Sequence, residues 1–171
     1  MKMYSNSTKR NQGFTIIELV VVIVILGIVS VTAANKFLNL QGDARISSLQ
    51  GLRGGMQGAA DMVYPIAVQQ GLEKLSAAEI TIEGDKIQLV YGYPAADSAN
   101  AWSHLIEATF ADSIFNADDP ADWYFHNTSR KIPWIRFMTK TKKQSGLQCY
   151  LEYTEATSTA QPTFELTTSG C

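Results

Sequence analysis

The first 13 residues contain no acidic side chain, although the chain carries 16 Asp and Glu residues in total. Lys2, Lys9 and Arg10 are the charged residues of this stretch. Without residues 1–13, which hold three of the 14 basic residues, the chain keeps 11 basic and 16 acidic side chains, a net charge of −5. Such a mildly acidic body is unlike a nucleic-acid-binding protein, so we expect no nucleic-acid partner.

Histidine is scarce as well. The two histidines, His104 and His126, have no partner at a spacing typical of metal ligands. No motif places a serine with a histidine and a carboxylate, and the acidic residues between positions 112 and 122 lack the Asp-x-Asp-x-Asp-Gly order of a calcium loop. The sequence therefore predicts a non-enzymatic protein with no catalytic residue, no metal site and no cofactor.

Cysteine is limited to Cys149 and Cys171. In a cytosolic protein these residues would be incidental thiols, whereas in an exported protein they would form one disulfide that closes the C-terminal segment. That bond would close a loop of 23 residues, for which the chain-entropy model gives about 3.4 kcal/mol of stabilisation. The alternative is a pair of reduced, buried thiols. Whether the protein is exported therefore determines whether a disulfide is expected.

A long apolar run follows the basic start. Residues 14–34 read FTIIELVVVIVILGIVSVTAA, which is 21 residues with one charged side chain, Glu18. As a helix this run would be about 31 Å long, close to the hydrocarbon thickness of a bilayer. An ordinary signal peptide, cleaved near Thr32-Ala33-Ala34, has a shorter apolar run of about 7–15 residues. A simple membrane anchor would not carry Glu18, because an acidic residue within a span costs about 2.5–3.5 kcal/mol.

Residues 9–19 read KRNQGFTIIEL, and this pattern resembles the class III leader of type IV prepilins. The resemblance implies that a membrane peptidase cuts between Gly13 and Phe14 on the cytoplasmic side and N-methylates Phe14, while the apolar helix stays in the protein. It also implies that Glu18 pairs with the Phe14 amine of a neighbouring subunit. Since each charge is costly when unpaired in an apolar environment, this pairing would fix the register of successive subunits.

Parts of the later sequence resemble the mannose-sensitive haemagglutinin (MSHA) branch of the type IV pilins. These parts are residues 27–29, 35–45, 91–94 and 149–155. One departure is Asn35, at a position where type IVa pilins usually carry a proline that would kink the helix.

Beyond the apolar run the helix is expected to continue with an amphipathic character. Apolar residues recur there at every third or fourth position, which predicts a stripe that packs against a sheet. The stripe consists of Leu49, Leu52, Met56, Ala59 and Val63. Pro65 is expected to kink or end the helix.

The rest of the chain predicts a globular head. Alternating apolar residues indicate strands at 80–83, 86–91, 134–139, 148–153 and 163–167. A hairpin turn is expected at Gly84-Asp85, and a short helix from Asn100 to Phe110 that is capped by Ser98 or Asn100. The predicted fold class is α+β, with a long N-terminal helical spine packed on an antiparallel β-sheet head.

Four segments follow from this interpretation. They are a cleaved leader (1–13), a transmembrane and fibre-core half of the helix (14–34), an amphipathic half (35–65), and a head with a disulfide-bounded C-terminal segment (66–171).

The resemblance implies a structural subunit that polymerises into a helical homo-oligomeric filament for cell adhesion. A prepilin peptidase and a pilus assembly machinery would be its partners, and a carbohydrate on a host or other surface is a candidate receptor. The precursor would lie in the bacterial inner membrane and the mature protein in an extracellular pilus. The alternatives are a minor pilin, a type II secretion pseudopilin and, less favoured, a secreted or anchored binding module with a conventional signal peptide.

Overall fold

The structure is a computed structural model that describes residues 13–128 and 133–171. Its helices are α1 (Ile16–Gln69) and α2 (Ser103–Leu105), with a π-helical turn at Ser98–Trp102 and 3-10 turns at Lys140–Lys142 and Ser145–Leu147. Its strands are β1 (Ala78–Ile82), β2 (Asp85–Val90), β3 (Tyr93–Pro94), β4 (Phe110–Asp112), β5 (Trp123–Thr128), β6 (Trp134–Met138), β7 (Tyr150–Thr154) and β8 (Thr163–Thr167). The chain divides into two compact units, one up to Gln41 and one from Gly42 onward.

The first unit contains the apolar start of α1. Its large apolar side chains are exposed, including Phe14, Ile25 and Val31. The hydroxyl groups within this run donate to the backbone of the preceding turn: Ser30 Oγ to the Leu26 carbonyl at 2.6 Å and Thr32 Oγ1 to the Val29 carbonyl at 2.9 Å. The polar side chains of the run are thereby satisfied within the helix itself, as an apolar surrounding requires.

The second unit contains the amphipathic part of α1, and the predicted stripe is present there with one change of residue. The buried positions recur every three or four residues, and they are Leu49, Leu52, Met56, Ala60, Val63 and Ala67. Ala60 is buried at the place where Ala59 was expected, and Ala59 is only partly buried. Arg53 and Asp61 are exposed on the same helix.

Pro65 does not end α1, which continues to Gln69. Proline removes one backbone donor, whereas the burial of Ala67 two residues later favours continuation of the helix. The helix ends in a Schellman motif, in which Gly71 N–H donates to the Val68 carbonyl at 3.0 Å and Leu72 N–H donates to the Ala67 carbonyl at 2.9 Å.

The α+β class is confirmed, but the head has two sheets where one was expected. The first sheet has the strand order β1-β2-β3 and the second has the order β4-β5-β6-β7-β8. All pairs are antiparallel except β4 with β5, which is parallel. Hydrogen bonds between Thr109 and the Asp122 carboxylate, at 2.7 and 2.9 Å, bring the two strands of this parallel pair together at their starts.

Two local predictions were wrong by a few residues. The β1–β2 hairpin turns at Glu83-Gly84, because Ile82 pairs with Asp85 and Asp85 is already in β2. The predicted helix ends at Leu105 and its first turn is π-helical. Its cap is Asp97, whose carboxylate accepts from Asn100 N–H at 2.8 Å.

One core cluster joins the stripe of α1 to both sheets. Trp102 is fully buried in it and meets the Tyr153 ring edge-to-face, with centroids 4.8 Å apart. The Tyr153 hydroxyl donates to the Pro94 carbonyl and so ties β7 of the second sheet to β3 of the first. The head is therefore built around an aromatic centre that both sheets share.

Candidate processing and assembly segment

The predicted cleavage junction precedes the first turn of α1. Gly13, Phe14 and Thr15 lie before the helix, and Phe14 is 93% exposed. A Cβ atom added at Gly13 would meet no heavy atom within 4 Å. Folded contacts therefore do not explain the glycine at this position, and access by a peptidase is unobstructed within the described residues.

Thr15 and Glu18 form a capping box at the start of α1. The Thr15 N–H donates to Glu18 Oε2 at 2.8 Å, and the Thr15 hydroxyl donates to the same oxygen at 2.9 Å. In return, Glu18 N–H approaches Thr15 Oγ1 at 3.3 Å. This arrangement satisfies backbone donors that a helix start leaves unpaired, and it places a negative charge at the positive end of the helix dipole.

The capping box gives Glu18 a local role that sequence reasoning missed, although Thr-x-x-Glu at the start of an apolar run is a readable signal. A single chain brings Glu18 to Thr15. Its pairing with the Phe14 amine of a neighbouring subunit stays a prediction. The hydrogen bonds recorded for the carboxylate within residues 13–128 and 133–171 use Oε2, so Oε1 can accept from a further donor.

Ile16–Ala34 is a helix segment that is long and apolar enough to cross a membrane, and none of it is buried within the structure. An exposed apolar segment of this size needs a bilayer or other apolar helices around it.

Cys149 and Cys171 form a disulfide. Arg45 of α1 donates through Nη1 to the Cys171 carbonyl and through Nε to Thr141 Oγ1 at 2.9 Å. Cys171 thus contacts α1 and, through the disulfide, the residue before β7. Sequence reasoning missed Arg45, since its partner lies 126 residues away and no local pattern marks it.

Gly170, which precedes Cys171, has no space for a side chain. A Cβ atom added at Gly170 would lie 1.7 Å from the Leu147 carbonyl oxygen, a severe backbone clash. Gly170 N–H also donates to the Gln148 carbonyl at 2.9 Å. The close approach of these two backbones holds the cysteine pair in place.

Residues 8–34 match the family described as the prokaryotic N-terminal methylation motif. The match covers the end of the basic leader with Lys9 and Arg10, the Gly13–Phe14 junction, Glu18 and the apolar run. No curated protein and no solved structure gives a significant match to the chain. The motif supports a type IV pilin-like or pseudopilin-type protein, made as a membrane-anchored precursor that a prepilin peptidase processes.

Proposed function

We propose that this protein is a structural subunit of an MSHA-like type IV pilus, which polymerises into a surface fibre for cell adhesion. The observation that carries the proposal is an accessible Gly13–Phe14 junction, placed directly before a carboxylate-capped apolar helix, within a segment that matches the methylation motif.

In this proposal the peptidase removes residues 1–13 and methylates Phe14, which leaves a cationic amine at the start of the helix. Glu18 of one subunit then accepts from the Phe14 amine of the next. Both charges would be costly alone among apolar side chains, so each incoming subunit is held in one axial register. The fibre core would supply the burial that the exposed run from Ile16 to Ala34 lacks in a single chain.

The head would then form the fibre surface, and a carbohydrate on a host or other surface is our candidate receptor. The disulfide and the Arg45 contact tie the C-terminal segment to the helix that enters the fibre. A covalent tether of this kind suits a subunit exposed to shear, because it limits local unfolding of the segment that it closes.

Gly13→Val tests the processing step, because a peptidase that cuts beside the membrane needs a small residue at the scissile bond. We expect uncut, full-length precursor in the inner membrane and no fibres, as seen by immunoblotting of membrane and sheared fractions. Gly27→Ala is the matched control, since a Cβ atom at Gly27 meets no heavy atom within 4 Å. Normal cleavage and piliation of the Gly13→Val variant would contradict the proposal.

The motif is shared by pilins, minor pilins and pseudopilins, so a second measurement separates them. We expect the processed protein to be the most abundant polypeptide in sheared surface fibres. A processed protein that is absent from such fibres, with loss of protein secretion when its gene is deleted, would favour the pseudopilin.

A further inference from the structure

A cavity of about 350 Å³ lies where the end of α1 meets the β2–β3 turn and the loop between β7 and β8. Three tyrosines, Tyr64, Tyr91 and Tyr93, line it together with Glu73 and Lys74. The Tyr64 and Tyr93 rings are stacked, with centroids 4.5 Å apart. The cavity is thus an aromatic wall with one carboxylate, within the volume range of small-molecule sites.

The backbone at Tyr91 has a conformation that is uncommon for a tyrosine. Tyr91 and Gly92 form the two-residue turn between Val90 and Tyr93, and both have positive φ, +51° and +82°. A bulky residue is uncommon at such a φ, and asparagine or glycine is preferred in this kind of turn. Backbone strain of this kind tends to occur at functional sites. Here the strained turn places the side chain of Tyr91 at the cavity.

The other wall of the cavity is the loop between β7 and β8, which hydrogen bonds within the loop support. Thr157 N–H donates to the Ala160 carbonyl at 2.8 Å, and Thr157 Oγ1 accepts from Ala160 N–H at 3.0 Å. Gly92 cannot be replaced without movement, since an added Cβ would lie 3.1 Å from the Tyr64 ring and 3.2 Å from Glu73 Cα. A ligand would therefore meet a largely preformed cavity, which lowers the entropic cost of binding.

The lining of the cavity contains one acidic side chain, Glu73, and one basic side chain, Lys74. Glu73 has a buried Oε2 for which the described residues provide no hydrogen-bond partner. Lys74, the cation among the described residues that line the cavity, is 88% exposed, and its Nζ lies 4.0 Å from Glu73 Oε1, so solvent screens this pair. Burial, the neighbouring Tyr64 and then the Asp61 carboxylate raise the pKa of Tyr93.

We propose that the cavity formed by Tyr64, Tyr91, Tyr93 and Glu73 binds an alkylated ammonium group, such as the trimethylammonium group of choline. Aromatic faces attract a cation through their quadrupole, and a trimethylammonium group is weakly hydrated and fills an aromatic pocket. Glu73 adds a compensating charge. An anionic ligand would be repelled by Glu73, and a neutral apolar group of the same shape would gain nothing from its charge.

The test uses the full-length protein in a maltoside detergent and follows the trimethyl resonance of free choline by ligand-observed NMR. The neutral isostere 3,3-dimethylbutan-1-ol has the same shape without the charge, and we expect it to bind more weakly. Glu73→Gln should weaken choline binding several-fold, whereas Lys74→Gln should strengthen it. Glu79→Gln is the matched control, because Glu79 pairs with Lys86 outside the cavity.

Tyr91→Asn separates binding from folding. Asn-Gly is a favoured pair for a turn with positive φ at both positions, so this variant should unfold at the same temperature as the wild type or a higher one. Loss of the ring should nevertheless lower choline affinity by about twofold to about thirtyfold, the range of one cation–π contact. Unchanged affinity in Tyr91→Asn would overturn the proposal, and so would equal binding of the neutral isostere.

A soluble headgroup distinguishes the two sources of this chemistry, because vesicles would also take up the apolar segment Ile16–Ala34. If glycerophosphocholine binds the wild type more tightly than free choline does, and binds the Tyr91→Asn variant less, the ligand is a lipid headgroup; if free choline binds more tightly, it is a soluble alkylammonium compound. Glycerophosphoglycerol, which carries no ammonium group, should not bind. Failure of both choline and glycerophosphocholine to bind would refute the proposal, while processing and fibre formation would be unaffected.

Discussion

Helix α1 contains two regions that differ in the burial of their apolar side chains. In the second unit Leu49 and Met56 are fully buried and Val63 is 1% exposed. In the first unit Val20 is 46% exposed and Val31 is 72% exposed, although this stretch is the more apolar of the two. The second stretch is covered by the sheets of its own chain, whereas the first must be covered by a membrane or by other helices.

The two regions also differ in how far along the sequence their carboxylates find hydrogen-bond partners. Glu18 lies at the start of the exposed stretch and accepts hydrogen bonds from Thr15, three residues earlier in the sequence. Glu155, in the head, accepts a hydrogen bond from the Ala96 amide at 2.6 Å and so links residues that are 59 apart in the sequence. Contacts within a single turn thus support the first region, and long-range contacts support the second.

The largest expected effect is on Glu18. We expect Glu18→Ala to be inserted and processed, because insertion becomes easier without the charge, but to yield few or no fibres. The reason is that the Phe14 amine of the next subunit would lack its partner in the fibre core. Fibre yield is measured by electron microscopy and by the sheared fraction.

Glu18→Gln sharpens this prediction, since a glutamine can keep the capping box with Thr15 but carries no charge. If charge pairing fixes the register, fibre loss should be similar in both variants. Wild-type fibre yield from Glu18→Gln would assign the residue to helix capping only.

A second contrast uses two methionines on α1. Met56 is fully buried and Met62 is 73% exposed, both in the second unit. Met56→Ala should lower the free energy of unfolding by about 2–5 kcal/mol through lost burial and a cavity. Met62→Ala should change it by no more than about 0.5 kcal/mol. Denaturant unfolding of the full-length protein measures both, and equal effects would contradict the assigned buried face.

Removal of the disulfide should be slightly milder. Cys149→Ser or Cys171→Ser should cost about 3 kcal/mol, because the unfolded chain regains the entropy of an open loop. Subunit abundance should fall while cleavage of the leader stays normal. Mass spectrometry of non-reduced peptides identifies the bond directly, and two free thiols in the exported protein would refute it.

The smallest effect concerns Glu155 and pH. Burial raises the pKa of Glu155, a hydrogen bond from the Ala96 amide lowers it, and the charge of Asp97 raises it, with a net increase above 4.5. A raised pKa in the folded state means that the stabilising contribution is present at low pH and is lost as the pH rises through the folded-state pKa.

Glu155→Gln keeps the acceptor for the Ala96 amide and removes the charge. We therefore expect it to equal the wild type at pH 4 and to be more stable at pH 7, by less than about 1 kcal/mol since the site is partly solvated. Thermal unfolding at both pH values measures this difference, and a variant that loses stability at pH 7 would contradict the assigned sign.

Sequence patterns predicted the parts of the fold that local periodicity determines. The apolar run, the stripe of α1 and strand β8 at residues 163–167 follow from spacing alone. Strands β4 and β5 were not predicted. Phe110–Asp112 is too short for a pattern, and β5 contains consecutive aromatic residues, of which Tyr124 is 1% exposed on one face and Phe125 is half-buried on the other.

The features of the site also fall into those that a local motif predicts and those that depend on long-range contacts. The roles predicted for Gly13, Phe14 and Glu18 come from a local motif, and the capping role of Thr15 was readable from the same few residues. The contact of Arg45 with Cys171 and the cavity around Tyr91 depend on residues far apart in the sequence. No single-sequence pattern encodes these long-range arrangements, because they depend on how the two sheets pack against α1.

The most direct test of the central claim is the N-terminus of the mature protein. We expect intact-mass and N-terminal peptide analysis of sheared fibres to find a chain that begins at N-methylated Phe14. A mature chain that begins at Asn35 would indicate cleavage by a signal peptidase, and one that keeps Met1 would indicate a plain anchor. Either result would contradict the assignment of the first helix to a fibre core.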